Sequence, residues 1–552
     1  MTNNRKRLTM NLDKEAINIR YQVDGIEKRG IGTETEDYVL LVEQSEERVT
    51  IRLKVKKPLT LVTSSFEVPY TYASNDELFI NGYQSWTDSR EYGLNEYLRN
   101  VKRVPGLIRN LFHLEAYGDA WFMEYQKDNF HSFTYAYRKN KNGEADLVGS
   151  LNEENAFLII HYKKDENVLS IRTDCEFKRV EDEFCLYDFV IYKGSVGEVL
   201  RRYFAHYGTC SAPPIRGYTS WYLHYQKIDE AKILTALEGI DSEHFDLFQI
   251  DDGYETFVGD WMDVDPKKFP NGLQGIVDKV HKKGLKAGIW LAPFVCELKS
   301  EVYKKHPEWL YKENGQPVYA GCNWSGDVVL DIRLPEVQDY IKKCLLYYVD
   351  MGFDFFKLDF LYAAALIHEG NNMTRAEIMR KAMKGLREIL GDKLILGCGV
   401  PLSSSFNLVD YCRIGPDVSL VFDDVFYRRR LHRERISTRI TLLNTIYRGP
   451  MDGSVFRCDP DVFLLRDNDI KMSREQRRSL CMLNHLCASV YMTSDNVAEY
   501  DEDKKAILRE AQKLSDAQIT NIERQNNLIT ITYQLDGQEK ILQYNSETGV
   551  IV

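Results

Sequence analysis

The alternation of apolar and polar positions changes character twice along the chain. At first it has a period of two: Val49, Ile51, Leu53 and Val55 interleave with Thr50, Arg52 and Lys54, as in a strand with one buried face. The stretches Tyr38–Val42, Ala156–Tyr162 and Val168–Thr173 read the same way, the last two joined by the polar turn Lys163–Asn167. Short strands with polar turns predict a β-sandwich. Past Pro213-Pro214 the pattern becomes short apolar runs alternating with amphipathic helices. The runs are 217–223, 245–251, 286–293, 353–359, 394–399, 411–415, 455–459 and 489–493. Helices are expected over 229–240, 272–283, 335–348 and 375–390, and a long one over 431–448 obscures the seventh strand. Such alternation predicts a (β/α)8 TIM barrel, whose usual size is about 250 residues. Near the C-terminus the period of two returns, with Ile529, Ile531, Tyr533 and Leu535 leading to the tight-turn dipeptide Asp536-Gly537. The expected fold class is multidomain, β plus α/β. An N-terminal β-sandwich (1–205) precedes the barrel (206–500), and a small antiparallel β domain (501–552) follows it.

Composition narrows the partners. With 552 residues, 44% of them hydrophobic, the chain has ample material for several cores. A net charge of −11 argues against a nucleic-acid or anionic-membrane surface. The short run Arg428-Arg429-Arg430 reads as a solvated helix face. Eleven cysteines, an odd number without CxxC spacing, fit reduced thiols rather than a disulfide framework. The N-terminal stretch has basic residues but no apolar core of a signal peptide, and no run is long enough to cross a membrane. These features predict a soluble, cytoplasmic protein.

Chemistry enters at Gly352-Phe353-Asp354-Phe355-Phe356-Lys357-Leu358-Asp359-Phe360. The apolar run reads as a strand buried on both faces, and residues two apart on a strand share a face. Lys357 and Asp359 therefore point the same way at the strand's C-terminal end, where charge is costly unless paired or used. A structural ion pair, or Asp359 capping the next helix, is the competing reading. Barrel enzymes keep their chemistry at such strand ends, and other ends are similarly equipped. They carry Ser220-Trp221-Tyr222, Asp251-Asp252-Gly253-Tyr254 with Gly259-Asp260-Trp261 beyond, Trp290, Cys398-Gly399, Arg413 through Asp417, and Asp459-Pro460-Asp461. From the N-terminal region, Asn81-Gly82-Tyr83-Gln84-Ser85-Trp86 has the composition of a sugar-stacking edge. There is no HxH, HExxH, GxGxxG or GK[ST] motif, so neither a metal nor a cofactor is expected. Carboxylates plus indoles are the equipment of a glycosidase, in which two carboxyls flank the bond and aromatic faces stack on the sugar.

The Asp-Asp-Gly-Tyr and Gly-Asp-Trp segments, Lys268-Phe269-Pro270-Asn271-Gly272, Lys357-Leu358-Asp359, and Arg413 with Asp417 together resemble the family 36 glycoside hydrolases. That is the α-galactosidase family, in a clan shared with families 27 and 31. The resemblance implies retention by double displacement, with Asp359 as nucleophile and Asp417 as acid/base. It implies that Asp251 and Asp252 grip the O4 and O6 hydroxyls, that Lys357 contacts the O3/O4 side and Arg413 the O2 side. Trp221 and Trp290 would wall the pocket, Cys398 would lie near O2, and Trp86 would reach in from its own chain or from a neighbouring subunit, leaving a homo-oligomer open. The implied partner is a small α-galactoside. Lys357 beside Asp359 would favour the ionised nucleophile, whereas Asp417 needs a raised pKa that a close Arg413 would oppose.

Some positions depart from the family pattern. Tyr254 and Tyr83 stand where relatives carry Trp, Ser403–Ser405 replaces a Gly-rich loop, and Val421-Phe422-Asp423-Asp424 follows the acid/base segment. These departures bear on the O2 and leaving-group sides. Alternatives are an α-N-acetylgalactosaminidase, a galactosyl-transferring enzyme, a non-catalytic carbohydrate-binding protein and a metal-dependent barrel enzyme.

Overall fold

The structure, a computed structural model, describes residues 12–126, 129–368, 370, 372–424, 428 and 431–552. The N-terminal stretch before residue 12 and the run Arg428-Arg429-Arg430, apart from Arg428, lie outside the described residues.

The first part of the chain folds as two seven-stranded antiparallel sheets. The alternating stretch around Val49–Val55 is the strand Arg48–Val55, paired with Tyr38–Gln44 on one side and Glu183–Ser195 on the other. Phe157–Lys163 and Val168–Asp174 form a hairpin in the other sheet, and Asn167 takes the left-handed conformation that its turn requires (φ 53°). The two sheets share one core. Phe66 packs edge-on against Tyr187 across it, and Ser64 and Tyr187 exchange a 2.9 Å hydroxyl bond within it.

From Ile215 onward nine strands form a parallel sheet: β1 (Ile215–Thr219), β2 (Leu247–Ile250), β3 (Lys286–Leu291), β4 (Phe355–Leu358), β5 (Leu394–Gly397), β6 (Tyr411–Arg413), β7 (Arg457–Asp459), β8 (Val462–Phe463) and β9 (Val490–Thr493). Their spatial order is β7-β6-β5-β4-β3-β2-β1-β9-β8. The two ends of this series, β7 and β8, are separated in sequence only by Pro460 and Asp461, so the sheet curls round until its edges meet. Pro460 has no N–H to give a ladder, and Asp461 turns left-handed (φ 71°), so β7 stops at Asp459, where the expected seventh strand ends, and a further short strand, β8, follows. The Ser489 amide bonds the Cys458 carbonyl at 3.3 Å across the join. Between strands run the helices α1 (Glu230–Glu238), α2 (Gln274–Lys282), α3 (Pro335–Asp350), α4 (Arg375–Leu390), α5 (Thr438–Arg448) and α6 (Arg474–Cys487).

Two expectations need correction. The helix expected over 431–448 begins only at Thr438, because the Ser437 hydroxyl accepts the Ile440 amide (3.1 Å) as an N-cap. Residues 431–437 instead reach the N-terminal part, where Arg433 meets Asp119 and Glu434 accepts the Tyr125 hydroxyl. Trp221-Tyr222, expected on the first strand, lie in a one-turn helix, Trp221–His224, just beyond β1. After helix α7 (Glu502–Lys513) the chain closes as a four-stranded antiparallel sheet. Its strand Leu528–Leu535 buries alternate residues and ends at the left-handed pair Asp536-Gly537. No helix of the described residues is long and apolar enough to cross a membrane.

Candidate active site

Every residue of β4 is buried, and its C-terminal end opens on a cavity of about 720 Å³. That volume lies within the usual range for small-molecule sites. Lys357 and Asp359 both line it. The ammonium, however, does not pair with Asp359. Lys357 Nζ donates to Asp251 Oδ2 at 2.8 Å, and the same oxygen accepts from Thr219 Oγ1 (3.0 Å) and Gln249 Nε2 (2.8 Å). Burial opposes the Lys357 charge, but Asp251 outweighs it and holds the pKa above the ordinary value. Asp359 is fixed by other donors: Trp290 Nε1 reaches Oδ2 at 3.2 Å and the Phe360 amide reaches Oδ1 at 2.8 Å. Phe360 sits at φ 54°, a strained conformation for a bulky side chain. Rings of Trp86 (5.6 Å) and Trp324 (5.1 Å) hold it there.

Across the cavity, Arg413 is shared among three carboxylates. Its Nε bonds Asp459 Oδ2 (2.9 Å), its Nη1 bonds Asp417 Oδ1 (3.0 Å), and its Nη2 lies 2.9 Å from Asp461 Oδ1. Asp461 also accepts the Val418 amide (2.7 Å) and the Tyr222 hydroxyl. Burial, against the pull of Arg413, pushes the Asp461 carboxyl up to about 7. Asp417 lines the cavity with its side chain a third exposed to the empty space, yet it lies below the protein surface among other acids. Burial raises its pKa, Arg413 lowers it, and Asp359 raises it again, for a net shift upward. Arg413 and Cys398, expected at the sugar's O2 side, stand behind the wall: both are buried and neither lines the cavity. Burial, with Asp359 next to it, pushes the Cys398 thiol well above its usual range.

The walls are aromatic. Trp221, Trp290 and Trp86 all line the cavity as expected, and Trp86 comes from the same chain. Its loop is stitched to the β5 end: Ser85 N donates to Val400 O (3.2 Å), and Val400 N donates to Ser85 Oγ (3.3 Å). Gly399 (φ 52°) leaves the room, since a Cβ there would lie 3.0 Å from the Trp86 ring and 3.3 Å from Asp359 Oδ1. Asp252 lines the cavity beside Asp251 and accepts from Gln226 Nε2 (3.1 Å) and Trp324 Nε1 (2.9 Å). Behind it lies Glu255, whose pKa burial and the adjacent Asp252 carboxyl raise well above the carboxylate range.

Sequence reasoning missed Trp324, Gln226, Tyr117 and Glu255. Trp324 sits in Asn323-Trp324-Ser325-Gly326, an aromatic in a Gly-containing polar segment. That is the same signal that singled out Asn81 to Trp86. Conversely, Asp260 and Trp261 are structural. Asp260 caps a short helix through the Glu301 and Val302 amides (2.8 and 3.0 Å), and Trp261 is buried edge-on against Trp290. Tyr83, Tyr254 and Ser403–Ser405, thought to bear on the O2 and leaving-group sides, do not line the cavity, whereas Val421 does. Among the described residues the one grouping with metal-ligand spacing is the exposed Asp241, Glu243 and His244, which shares no residue with the cavity.

A pocket at the C-terminal edge of a parallel sheet, walled by indoles and lined by a hydrogen-bonded carboxylate and a carboxyl of raised pKa, has the equipment of a glycoside-hydrolase site. Residues 211–394 match the melibiase family model. The α-galactosidase Mel36A of Lactobacillus acidophilus is 31% identical over 160 residues, which are 28% of this chain and 21% of that protein. The α-xylosidase XylQ of Lactiplantibacillus pentosus is 29% identical over 184 residues, 31% of this chain and 23% of that protein. The match thus spans about a fifth of each curated relative's length. In contrast, the structure of TtGalA, an α-galactosidase of Thermus thermophilus in complex with stachyose, superposes almost end to end. It is 26% identical with a TM-score of 0.69, covering 90% of this chain and 99% of that one. Over residues 211–394 the chain is thus similar to the melibiase family, and over nearly its whole length its fold is that of solved α-galactosidases of glycoside hydrolase family 36.

Proposed function

We propose that the protein is a retaining α-galactosidase acting on small α-galactosides. Its curled sheet would be a (β/α)8 barrel (206–500), flanked by a β-sandwich (1–205) and a C-terminal β domain (501–552). The observation that carries the reading is the pairing of Asp359, held as an acceptor by Trp290 and Phe360, with Asp417, whose pKa is raised, around one cavity.

In the first step the Asp359 carboxylate attacks the anomeric carbon, the bond to the leaving oxygen breaks, and Asp417 gives that oxygen its proton. In the second, Asp417 takes a proton from water, whose oxygen displaces Asp359 and releases galactose with its configuration kept. Lys357 and Asp251, locked together, present one donor and one acceptor to O3 and O4. Asp252, with Trp324 and Gln226, faces the O6 side. A site built on those hydrogen bonds rejects sugars that cannot complete them, and xylose, having no C6 hydroxymethyl group, leaves Asp252 unused. The reading extends to short imported substrates met in the cytoplasm.

The test uses aryl α-galactoside, α-xyloside and N-acetyl-α-galactosaminide side by side, with NMR detection of the anomer first released. The α-galactoside should be preferred by at least a hundredfold, and α-galactose should appear before the β anomer. Asp359→Gly should be inactive and regain turnover with azide, giving the β-configured azido sugar. An α-azide, or unchanged activity of the variant, would refute the nucleophile assignment.

A further inference from the structure

Helix α5 ends in Arg448, which is fully buried and has no salt-bridge partner among the described residues. Instead its guanidinium is spent on one loop and one strand end. Nε donates to Asn81 Oδ1 (3.0 Å), Nη1 to the Ser85 and Ile414 carbonyls (both 2.8 Å), and Nη2 to the Gly82 and Gln84 carbonyls (3.3 and 3.2 Å). One turn earlier, Asn444 Nδ2 donates to the Ser85, Thr87 and Ile414 carbonyls (3.3, 3.0 and 3.1 Å), while its Oδ1 accepts the Ser89 amide (2.8 Å). Every one of these acceptors except Ile414 belongs to the segment 81–89 that carries Trp86. Ile414 lies between Arg413 and Asp417.

A buried cation without a counter-charge is expensive, and here burial pulls the pKa down to about 10, which still leaves it charged at neutral pH. The fold could close this domain contact with apolar side chains at lower cost. What apolar residues cannot supply is a planar five-donor fork that fixes several carbonyls at once, and lysine has neither the geometry nor the donor count. Trp86 needs such fixing. Its indole N–H has no partner among the described residues, and the ring is placed by contacts with Phe360, Tyr362, Tyr117 and Gly399.

We propose that Arg448 is a positioning residue for the glycosidase reaction, joining the loop that carries Trp86 to the backbone between Arg413 and Asp417. The indole wall and the acid/base carboxyl are thereby set as one unit. The proposal rests on the reading of Trp86 and Asp417 as parts of a galactoside site.

The test is a kinetic cycle on an aryl α-galactoside with wild type, Arg448→Lys, Trp86→Ala and the double variant, with Asn444→Ala run in parallel should Arg448→Lys fail to fold. Arg448→Lys should lower kcat/KM at least tenfold in the native background, chiefly through KM, and less than twofold once Trp86 is alanine. Asn444→Ala should show the same collapse. Equal losses in both backgrounds would mean a merely structural role and overturn the proposal alone. A wild-type chain inert on α-galactosides would instead remove the functional reading and the proposal with it.

Discussion

Lys357→Met is the perturbation whose size the structure sets most directly. The Lys357 side chain is 9% exposed and that of Asp251 only 2%, so neither charge is repaid by water. Removing the ammonium leaves Asp251 with the neutral donors Thr219 and Gln249 and the Asp252 amide. Breaking a buried pair in this way costs about 3–5 kcal/mol, most of it the penalty of the orphaned charge. Asp251→Asn orphans the ammonium and should cost a similar amount. The double variant Lys357→Met/Asp251→Asn removes both charges. It should be at least about 2 kcal/mol more stable than the two single losses added together. Because all three variants should be nearly inactive, the readout is stability: the denaturant midpoint and slope followed by tryptophan fluorescence. The matching cycle with Asp359→Asn should show much weaker coupling, since Asp359 takes its hydrogen bonds from Trp290 and Phe360. Additivity of Lys357 with Asp251 to within about 0.5 kcal/mol, or stronger coupling to Asp359, would refute the pairing.

Asp417→Ala should depress turnover of a disaccharide by about a hundredfold or more, and of a dinitrophenyl galactoside by far less, because a good leaving group needs no proton; equal losses would contradict the acid role. Asp461→Asn should move the alkaline limb of the kcat/KM profile to lower pH. In the proposed mechanism activity needs Asp417 protonated and is lost as pH rises through its raised pKa, and an Arg413 relieved of one carboxylate would lower that pKa. Asp327 is fully buried behind the Trp324 turn, and burial pushes it up to about 7, against about 3.9 unfolded. Its contribution to stability is therefore fully present below about pH 4 and lost by about pH 7, at most about 4 kcal/mol. Asp327→Asn should flatten that decline in thermal midpoint, and an unchanged pH dependence would exclude Asp327 as its source.

The elements that were legible in the sequence are those whose pattern is local. The period-two stretch around Val49–Val55 and the buried run before Asp359 declare themselves because burial repeats with the geometry of a strand. Asp359 and Asp417 were findable because each ends such a run. The partner of Lys357 was not, because it depends on register between strands. Gln249 pairs with Gly288 and Trp290 pairs with Lys357, and only this alignment carries Asp251 to the ammonium. The misjudged helix start at 431 has a local cause, since Ser437 caps it where composition alone lets the pattern run on. Arg448 gave no signal at all. A basic residue at the end of an amphipathic helix reads as a solvated C-terminal charge, and only the tertiary fold buries it.

The three-way sharing of Arg413 settles a conflict that proximity alone would decide wrongly. One guanidinium at 3.0 Å from Asp417 should, taken as a pair, hold that carboxyl ionised and useless as an acid. Asp459 and Asp461 contact the same cation at 2.9 Å each, so one positive charge faces three carboxyls in a water-poor site. For Asp417 and Asp461, burial is the largest cause of the shift, and the net direction is upward despite the pull of the shared cation. Asp459 and Asp461 are almost completely buried, with Asp461 pushed up to about 7, and Asp417 stands at the cavity with its pKa raised as well. Asp359, which lines the same cavity, receives neutral N–H donors on both oxygens and is fitted to accept rather than donate. In the proposed mechanism the two aspartates are suited to opposite roles by their surroundings, with neutral N–H donors at Asp359 and burial raising the Asp417 pKa against the pull of an arginine that touches it.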